Sequence, residues 1–135
     1  MMYLNSKIAL EEIEEKDCQS IGHMCDYLIE LSFFLHKTSV AMEDNALRLR
    51  KTYKYFSRNE FNNAFGRLSE LKRDLQIVRR KVELLENKLD DSTLPDNAPC
   101  FFFAEYLREI MQEIVILRGK YNSLINKISC KLILL

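Results

Sequence analysis

Apolar residues recur along residues 61–89 at alternating intervals of three and four. The run is Phe61, Ala64, Leu68, Leu71, Leu75, Val78, Val82, Leu85 and Leu89, four heptads without an interruption. This spacing places every apolar side chain on one side of a helix, and the charged residues between them suit a solvated opposite side. The pattern predicts a straight helix over about 58–90 with a coiled-coil seam.

The C-terminal region repeats the pattern with a wider apolar surface. Its seam consists of Phe103, Leu107, Ile110, Ile114, Leu117, Tyr121, Leu124 and Ile128. Further apolar residues lie outside that seam, at Met111, Val115, Ile116, Ile125, Leu132, Ile133 and Leu134. A core-facing helix needs a narrower stripe than this. We expect a helix over about 99–134 with apolar surface left over.

The N-terminal third follows the same rule less regularly. The three- and four-residue steps connect Ile21, Met24, Leu28, Leu31, Leu35, Thr38 and Met42. Ser20 and Gly22 are weak helix formers, so a bend or break is expected near 18–22. The sequence therefore predicts a helix over about 20–55, preceded by a short acidic helix or arm at residues 1–18.

The segment DDSTLPDNAP, residues 90–99, contains both prolines of the chain and predicts an irregular loop over 91–98. Pro99 suits the first turn of the following helix. Each predicted helix is roughly 35 residues and about 50 Å long. The chain is thus expected to be a single all-α domain, an elongated antiparallel three-helix bundle. A parallel dimeric coiled coil is disfavoured, because heptads on both sides of a short loop fold back as a hairpin.

The stretch LRLRKTYKYFSRNEF, residues 47–61, interleaves basic and aromatic residues. At 100° per residue, the basic residues fall within about one 100° arc and the apolar ones occupy the opposite side. The basic set is Arg50, Lys51, Lys54 and Arg58; the apolar set is Leu49, Tyr53 and Phe56. The aromatic residues are therefore expected in the core, and the basic ones on the surface.

The same stretch contains a helix boundary. Ser57 and Glu60 match the capping-box pattern, and Phe56 and Phe61 occupy the two positions of a hydrophobic staple. We expect one helix to end near 54–56 and the next to begin at about 58.

Charge adds an asymmetry that the totals hide, since 20 Lys and Arg balance 20 Asp and Glu. In an antiparallel bundle one end collects Arg48, Arg50, Lys51, Lys54, Arg58, Arg67, Lys120, Lys127 and Lys131, and acidic residues collect at the other end. Such a rod favours antiparallel or head-to-tail pairing. The basic end meets either an acidic partner or only water.

Candidate chemistry is sparse. Cys18, His23, Cys25 and His36 are too widely spaced for a compact metal site, because Cys18 and Cys25 would be about 10 Å apart along a helix. The cysteines, Cys18, Cys25, Cys100 and Cys130, have no disulfide-framework pattern and are expected to be free. No phosphate-binding loop or nucleophile–base constellation occurs. The sequence predicts no metal, no cofactor and no enzymatic activity.

Surplus apolar residues point to a partner. Tyr27, Ile29, Phe33, Phe34 and Val40 lie away from the seam of the first helix. We expect the partner-binding surface at Phe33, Phe34, Phe101, Phe102, Ile133 and Leu134. The alternative is a core wider than the helical wheel suggests. No apolar run approaches the ~20 residues of a membrane span, so an intracellular, cytoplasmic location is expected.

These features favour a non-enzymatic helical interaction or scaffold protein, which self-associates or joins another coiled-coil subunit of a complex. The alternative is a membrane-surface module comparable to the crescent-shaped BAR family, binding anionic lipid through its basic end. That comparison is a fold-level analogy, since no motif matches that family. Nucleic-acid binding is disfavoured by the zero net charge.

Overall fold

The computed structural model describes residues 20–99 and 101–133, without the side chains of residues 101, 102, 132 and 133. Three helices make up this part of the chain: α1 (Ile21–Lys51), α2 (Arg58–Asp90) and α3 (Phe101–Ile133). A 3-10 turn, Tyr53–Tyr55, joins α1 to α2. The described residues contain no strand, and the predicted all-α three-helix bundle is confirmed.

Polar contacts between α1 and α2 show that these helices run in opposite directions. The Ser32 hydroxyl donates to Glu86 Oε1 at 2.9 Å, and Lys72 forms an ion pair with Glu43. Residue numbers therefore rise along α1 as they fall along the facing side of α2.

Contacts between α2 and α3 show the same reversal. Lys88 lies over the Tyr106 ring, 5.2 Å from its centroid, near the end of α2 and the start of α3. At the opposite end of the bundle, Lys131 Nζ is 3.1 Å from Glu60 Oε2. The three helices thus run up, down and up.

The core is continuous along the bundle, but its width differs between helix pairs. The α2 helix buries a single narrow seam consisting of Leu68, Leu71, Leu75, Val78, Val82, Leu85 and Leu89. The α1 and α3 backbones lie farther from each other than either lies from α2. A second row on α1, Tyr27, Phe34 and Ala41, is buried beside the main seam, and the Tyr27 hydroxyl reaches Met111 Sδ of α3 at 3.7 Å. The large side chains of Tyr27 and Phe34 therefore occupy the wider α1–α3 gap.

The start of α1 is held by the loop between α2 and α3. Ser20 is the N-cap, and its side chain accepts from the His23 N–H at 3.3 Å. The N–H groups of Ile21 and Gly22 donate to the carbonyls of Ala98 at 3.0 Å and Asp96 at 2.8 Å. Three backbone donors of the first turn, which a helix leaves unpaired, thereby find acceptors. The expected break near 18–22 is thus a helix start; the acidic arm at 1–18 lies outside the described residues.

The loop between α2 and α3 extends past its predicted end. Its Ala98 N–H donates to the Pro95 carbonyl at 2.9 Å, which makes a turn at the segment that caps α1. The helix α3 spans Phe101–Ile133 and Pro99 is not helical, so Pro99 does not occupy its first turn.

The helix α1 ends at Lys51, earlier than the predicted 54–56. The Thr52 hydroxyl donates to the Arg48 carbonyl at 2.9 Å, and the Thr52 N–H is shared between the carbonyls of Arg48 and Leu49. This tightening converts the last turn to the 3-10 turn Tyr53–Tyr55.

The capping box at the start of α2 is confirmed. The Glu60 N–H donates to Ser57 Oγ at 3.1 Å, and the Ser57 N–H donates to Glu60 Oε1 at 3.2 Å. Phe56 and Phe61 flank the box, and both pack against the core. The two phenylalanines therefore anchor the chain reversal from inside while the box fixes it from outside.

We predict that Gly22→Ala stabilises the protein less than Gly119→Ala. An added Cβ at Gly119 meets no atom within 4 Å, so alanine should raise the free energy of unfolding by about 0.5–1 kcal/mol. At Gly22 the Cβ would lie 3.2 Å from the Asp96 carbonyl oxygen, which offsets that gain. Urea denaturation followed by circular dichroism measures both. Equal stabilisation would contradict a close approach of the loop to α1.

Candidate interaction surface

The side of α1 that faces away from the bundle carries a row of exposed apolar residues. Ile29, Phe33, Val40 and Leu47 are 55%, 65%, 48% and 52% exposed. Their steps of four, seven and seven residues keep them within roughly a 40° arc of the helix. The row is about 27 Å long at 1.5 Å per residue. We call these four residues the outer row.

The outer row lies opposite the core. Met24, Leu31 and Leu49, each with no exposed surface, point to the other side of α1 by the 100° rule. Single exposed apolar residues are ordinary on protein surfaces, whereas contiguous apolar patches mark interaction sites. With four members in one arc, the outer row is the longest row of exposed apolar residues in the described part of the chain, and we take it as the candidate surface.

A line of charged residues borders the outer row on one flank. Glu30, Lys37, Asp44 and Lys51 follow each other at seven-residue steps, and all four are exposed. Their signs alternate along the helix. We call these four residues the charged row.

Of the predicted partner-binding residues, Phe33 alone lies on this surface among those that can be placed. The prediction for Phe34 is wrong, because this side chain is only 8% exposed and packs in the α1–α3 gap. The side chains of Phe101, Phe102 and Ile133, and all of Leu134, lie outside the described residues.

The sequence interpretation missed Leu47 and the charged row. The signal was available in the seven-residue steps from Phe33 through Val40 to Leu47, which repeat at the heptad interval. Leu47 lies in the basic and aromatic stretch, where the helix boundary gives the stronger local pattern and masks the seven-residue repeat.

The predicted basic end consists of Arg50, Lys51, Lys54 and Arg58, all exposed. Two of them make contacts within the chain. The Arg50 guanidinium lies 5.0 Å from the centroid of the Phe65 ring, and Lys54 Nζ lies 5.1 Å from that of Tyr55.

The apolar residues of the same stretch divide between core and surface. Leu49 is fully buried and Phe56 packs partly against the core, as expected. The prediction for Tyr53 is wrong, because it is 63% exposed. The 3-10 turn rotates Tyr53 away from the position that a continued α-helix would give it, and its ring instead makes a T-shaped contact with the Phe61 ring, with the centroids 6.3 Å apart.

Two of the four cysteines, Cys25 and Cys130, lie among the described residues. Burial, with a smaller effect of Asp90 and Asp96, raises the pKa of the partly buried Cys25 thiol. Cys130 is exposed, and both are free thiols. Within the described residues, no group of three or more histidine, cysteine or acidic side chains is arranged to hold a metal ion.

One buried polar pair crosses from α1 to α3. Asn45 Nδ2 donates to the Tyr121 hydroxyl oxygen at 2.7 Å and lies 3.0 Å from the Ala41 carbonyl. Burial raises the pKa of Tyr121 to about 12, although the hydrogen bond from Asn45 opposes that shift. The pair is enclosed by core side chains, so its role is in packing between the helices.

None of the described helices combines the length and the apolar character that a membrane span requires.

Comparison with known proteins does not extend this picture: no protein-family model, curated protein or solved structure matches the chain.

We predict that stability falls between about pH 10 and pH 12 in a step that depends on Tyr121. Its folded-state pKa of about 12 lies above the value of 10.0 for a free tyrosine, so the unfolded chain loses this proton first. The contribution is complete below pH 10 and is lost as pH rises toward 12. Urea denaturation across this range measures the step. Tyr121→Phe should flatten it, and an unchanged step would assign it to other groups.

Proposed function

We propose that this protein is a non-enzymatic helical interaction protein that assembles, through the outer row of α1, with a second copy or with another helical chain. The observation that carries the proposal is the 27 Å row (about eighteen residues at 1.5 Å each) of exposed Ile29, Phe33, Val40 and Leu47 on the side of α1 away from the core. Helix-in-groove and helix–helix recognition use apolar anchors at this type of spacing.

The size of the row suits a modest affinity. Full burial of one such side chain contributes about 1.5–3 kcal/mol, and these four start roughly half exposed. Their sum is several kcal/mol, of the same order as the ~4–15 kcal/mol that association costs in lost freedom. Binding therefore needs further contacts, and the charged row beside the apolar one is placed to supply them.

Catalysis has little support by comparison. The raised pKa of Cys25 leaves little nucleophilic thiolate near neutral pH. Tyr121 is buried and only 3% exposed, so it cannot meet a substrate.

The membrane-surface alternative also has less support than assembly. Arg50 and Lys54 lie over aromatic rings of the same chain, and Lys131, at the same end, pairs with Glu60. These contacts give two of the four basic-end residues, Arg50 and Lys54, a partner within the chain.

We predict that Phe33→Gln with Val40→Gln abolishes assembly, because it replaces the two central anchors with side chains that keep helix propensity. Ile77→Gln with Leu84→Gln is the matched control, since these residues are 49% and 59% exposed on α2 and are also seven apart. Light scattering gives the mass of each purified variant relative to the 16.0 kDa chain. Co-purification from the native cell tests assembly with a different chain.

The proposal requires that the α1 variant lose its partner while the α2 variant keeps it. Circular dichroism should show equal helix content for both, which separates lost binding from lost folding. Identical assembly of both variants and the unmodified chain would refute a role for the outer row.

A further inference from the structure

The charged row makes the surface of α1 complementary to itself in one orientation. Along the helix its signs run negative, positive, negative, positive at Glu30, Lys37, Asp44 and Lys51. When two copies of α1 lie antiparallel, residues on the same flank face each other, because the two-fold axis that relates the copies preserves the flank. The charged row of one copy therefore faces the charged row of the other, with the residue order reversed.

Centring such a pair on Val40 aligns both rows. Phe33 then faces Leu47 of the second copy, and Val40 faces Val40. On the flank, Lys37 faces Asp44 of the second copy and Glu30 faces Lys51. Two-fold symmetry repeats each of these contacts, so every facing pair of the charged row has opposite signs.

Other arrangements lose this complementarity. Sliding the antiparallel pair by one heptad in one direction sets Lys37 against Lys37 and Glu30 against Asp44; the opposite slide sets Asp44 against Asp44. Like charges directly opposed are destabilising and select against a register.

A parallel pair is disfavoured by the other flank of the outer row. There Glu43 and Arg50 lie seven residues apart and are exposed. An in-register parallel pair sets this flank against the charged row of the second copy, so Glu43 lies near Asp44 and Arg50 lies near Lys51, like against like. The antiparallel pair instead brings Glu43 toward His36 of the second copy and Arg50 toward Ile29.

We propose that the partner of the outer row is a second copy of this chain, bound antiparallel through α1 in the register centred on Val40. This inference depends on the proposed function, because it identifies the partner of the same surface. The contact is short and bordered by exposed charges, so the dimer should be concentration-dependent and weaker at high salt.

Two charge reversals test the register. Lys37→Glu sets two pairs of acidic residues against each other in the dimer, and Asp44→Lys sets two pairs of basic residues against each other. Each variant alone should raise the dimer dissociation constant roughly tenfold or more. An equimolar mixture of the two variants should restore dimerisation, because both facing pairs of the heterodimer then have opposite signs.

Restoration by mixing is specific for contact between chains. Within one chain, residues 37 and 44 are about 10 Å apart along the helix axis, so neither substitution repairs the other locally. Sedimentation equilibrium of each variant, of the mixture and of the unmodified chain provides the masses, and circular dichroism checks the fold of each.

The outcomes separate this inference from the proposed function. Loss of dimer in each variant and recovery in the mixture supports the antiparallel register. If neither charge reversal changes the dimer dissociation constant, but Phe33→Gln with Val40→Gln dissociates the dimer, the proposed register is wrong and the outer row is still the interface. A dimer that also persists in the Phe33→Gln, Val40→Gln double variant overturns both proposals. A chain that is monomeric at every concentration overturns the second copy as the partner, and leaves the proposed function to the co-purification test.

Discussion

The narrow seam of α2 determines how the whole bundle is arranged. Because α2 buries only one heptad row, from Leu68 to Leu89, α1 and α3 must both pack along that row. They approach α2 closely and each other less closely, so the gap between them needs large side chains. Tyr27, Phe34 and Tyr121 occupy it. The broad buried side of α1 is thus a consequence of the narrow side of α2.

Because α1 packs against α2 and α3 through these other sides, its outer side does not pack against either helix. The side of α1 that bears Ser32 and Glu43 faces α2, and the row at Tyr27 and Phe34 lies in the gap toward α3. The remaining side of α1 carries the outer row, which is apolar. Phe33 is its most exposed member. An outward row of leucine, valine, isoleucine and phenylalanine has no use in a three-helix core. We infer that its use lies in assembly.

Sequence periodicity predicted α2 and the antiparallel bundle because these depend on local spacing. Periodicity did not separate Phe33, which is exposed, from Phe34, which is buried. The burial of Phe34 depends on the width of the α1–α3 gap, and local spacing does not report that distance. Gly22 is a similar case. It reads as a weak helix former, but its backbone approaches Asp96, 74 residues away in the chain, and no local pattern reports that contact. Tyr53 was misplaced because a hydroxyl of Thr52 ends the helix early.

The net charge of zero conveys little about this protein, whereas the order of its charges conveys a great deal. An apolar row alone would accept many hydrophobic surfaces and would favour aggregation. In the proposed dimer, the alternating charges at Glu30, Lys37, Asp44 and Lys51 would set like charges against each other in a wrongly aligned pair. They would thereby restrict which helix can bind and in which direction. The apolar row would then provide attraction, and the charged row would provide selectivity. Since the two rows have the same seven-residue period, one helix can present both to the same partner.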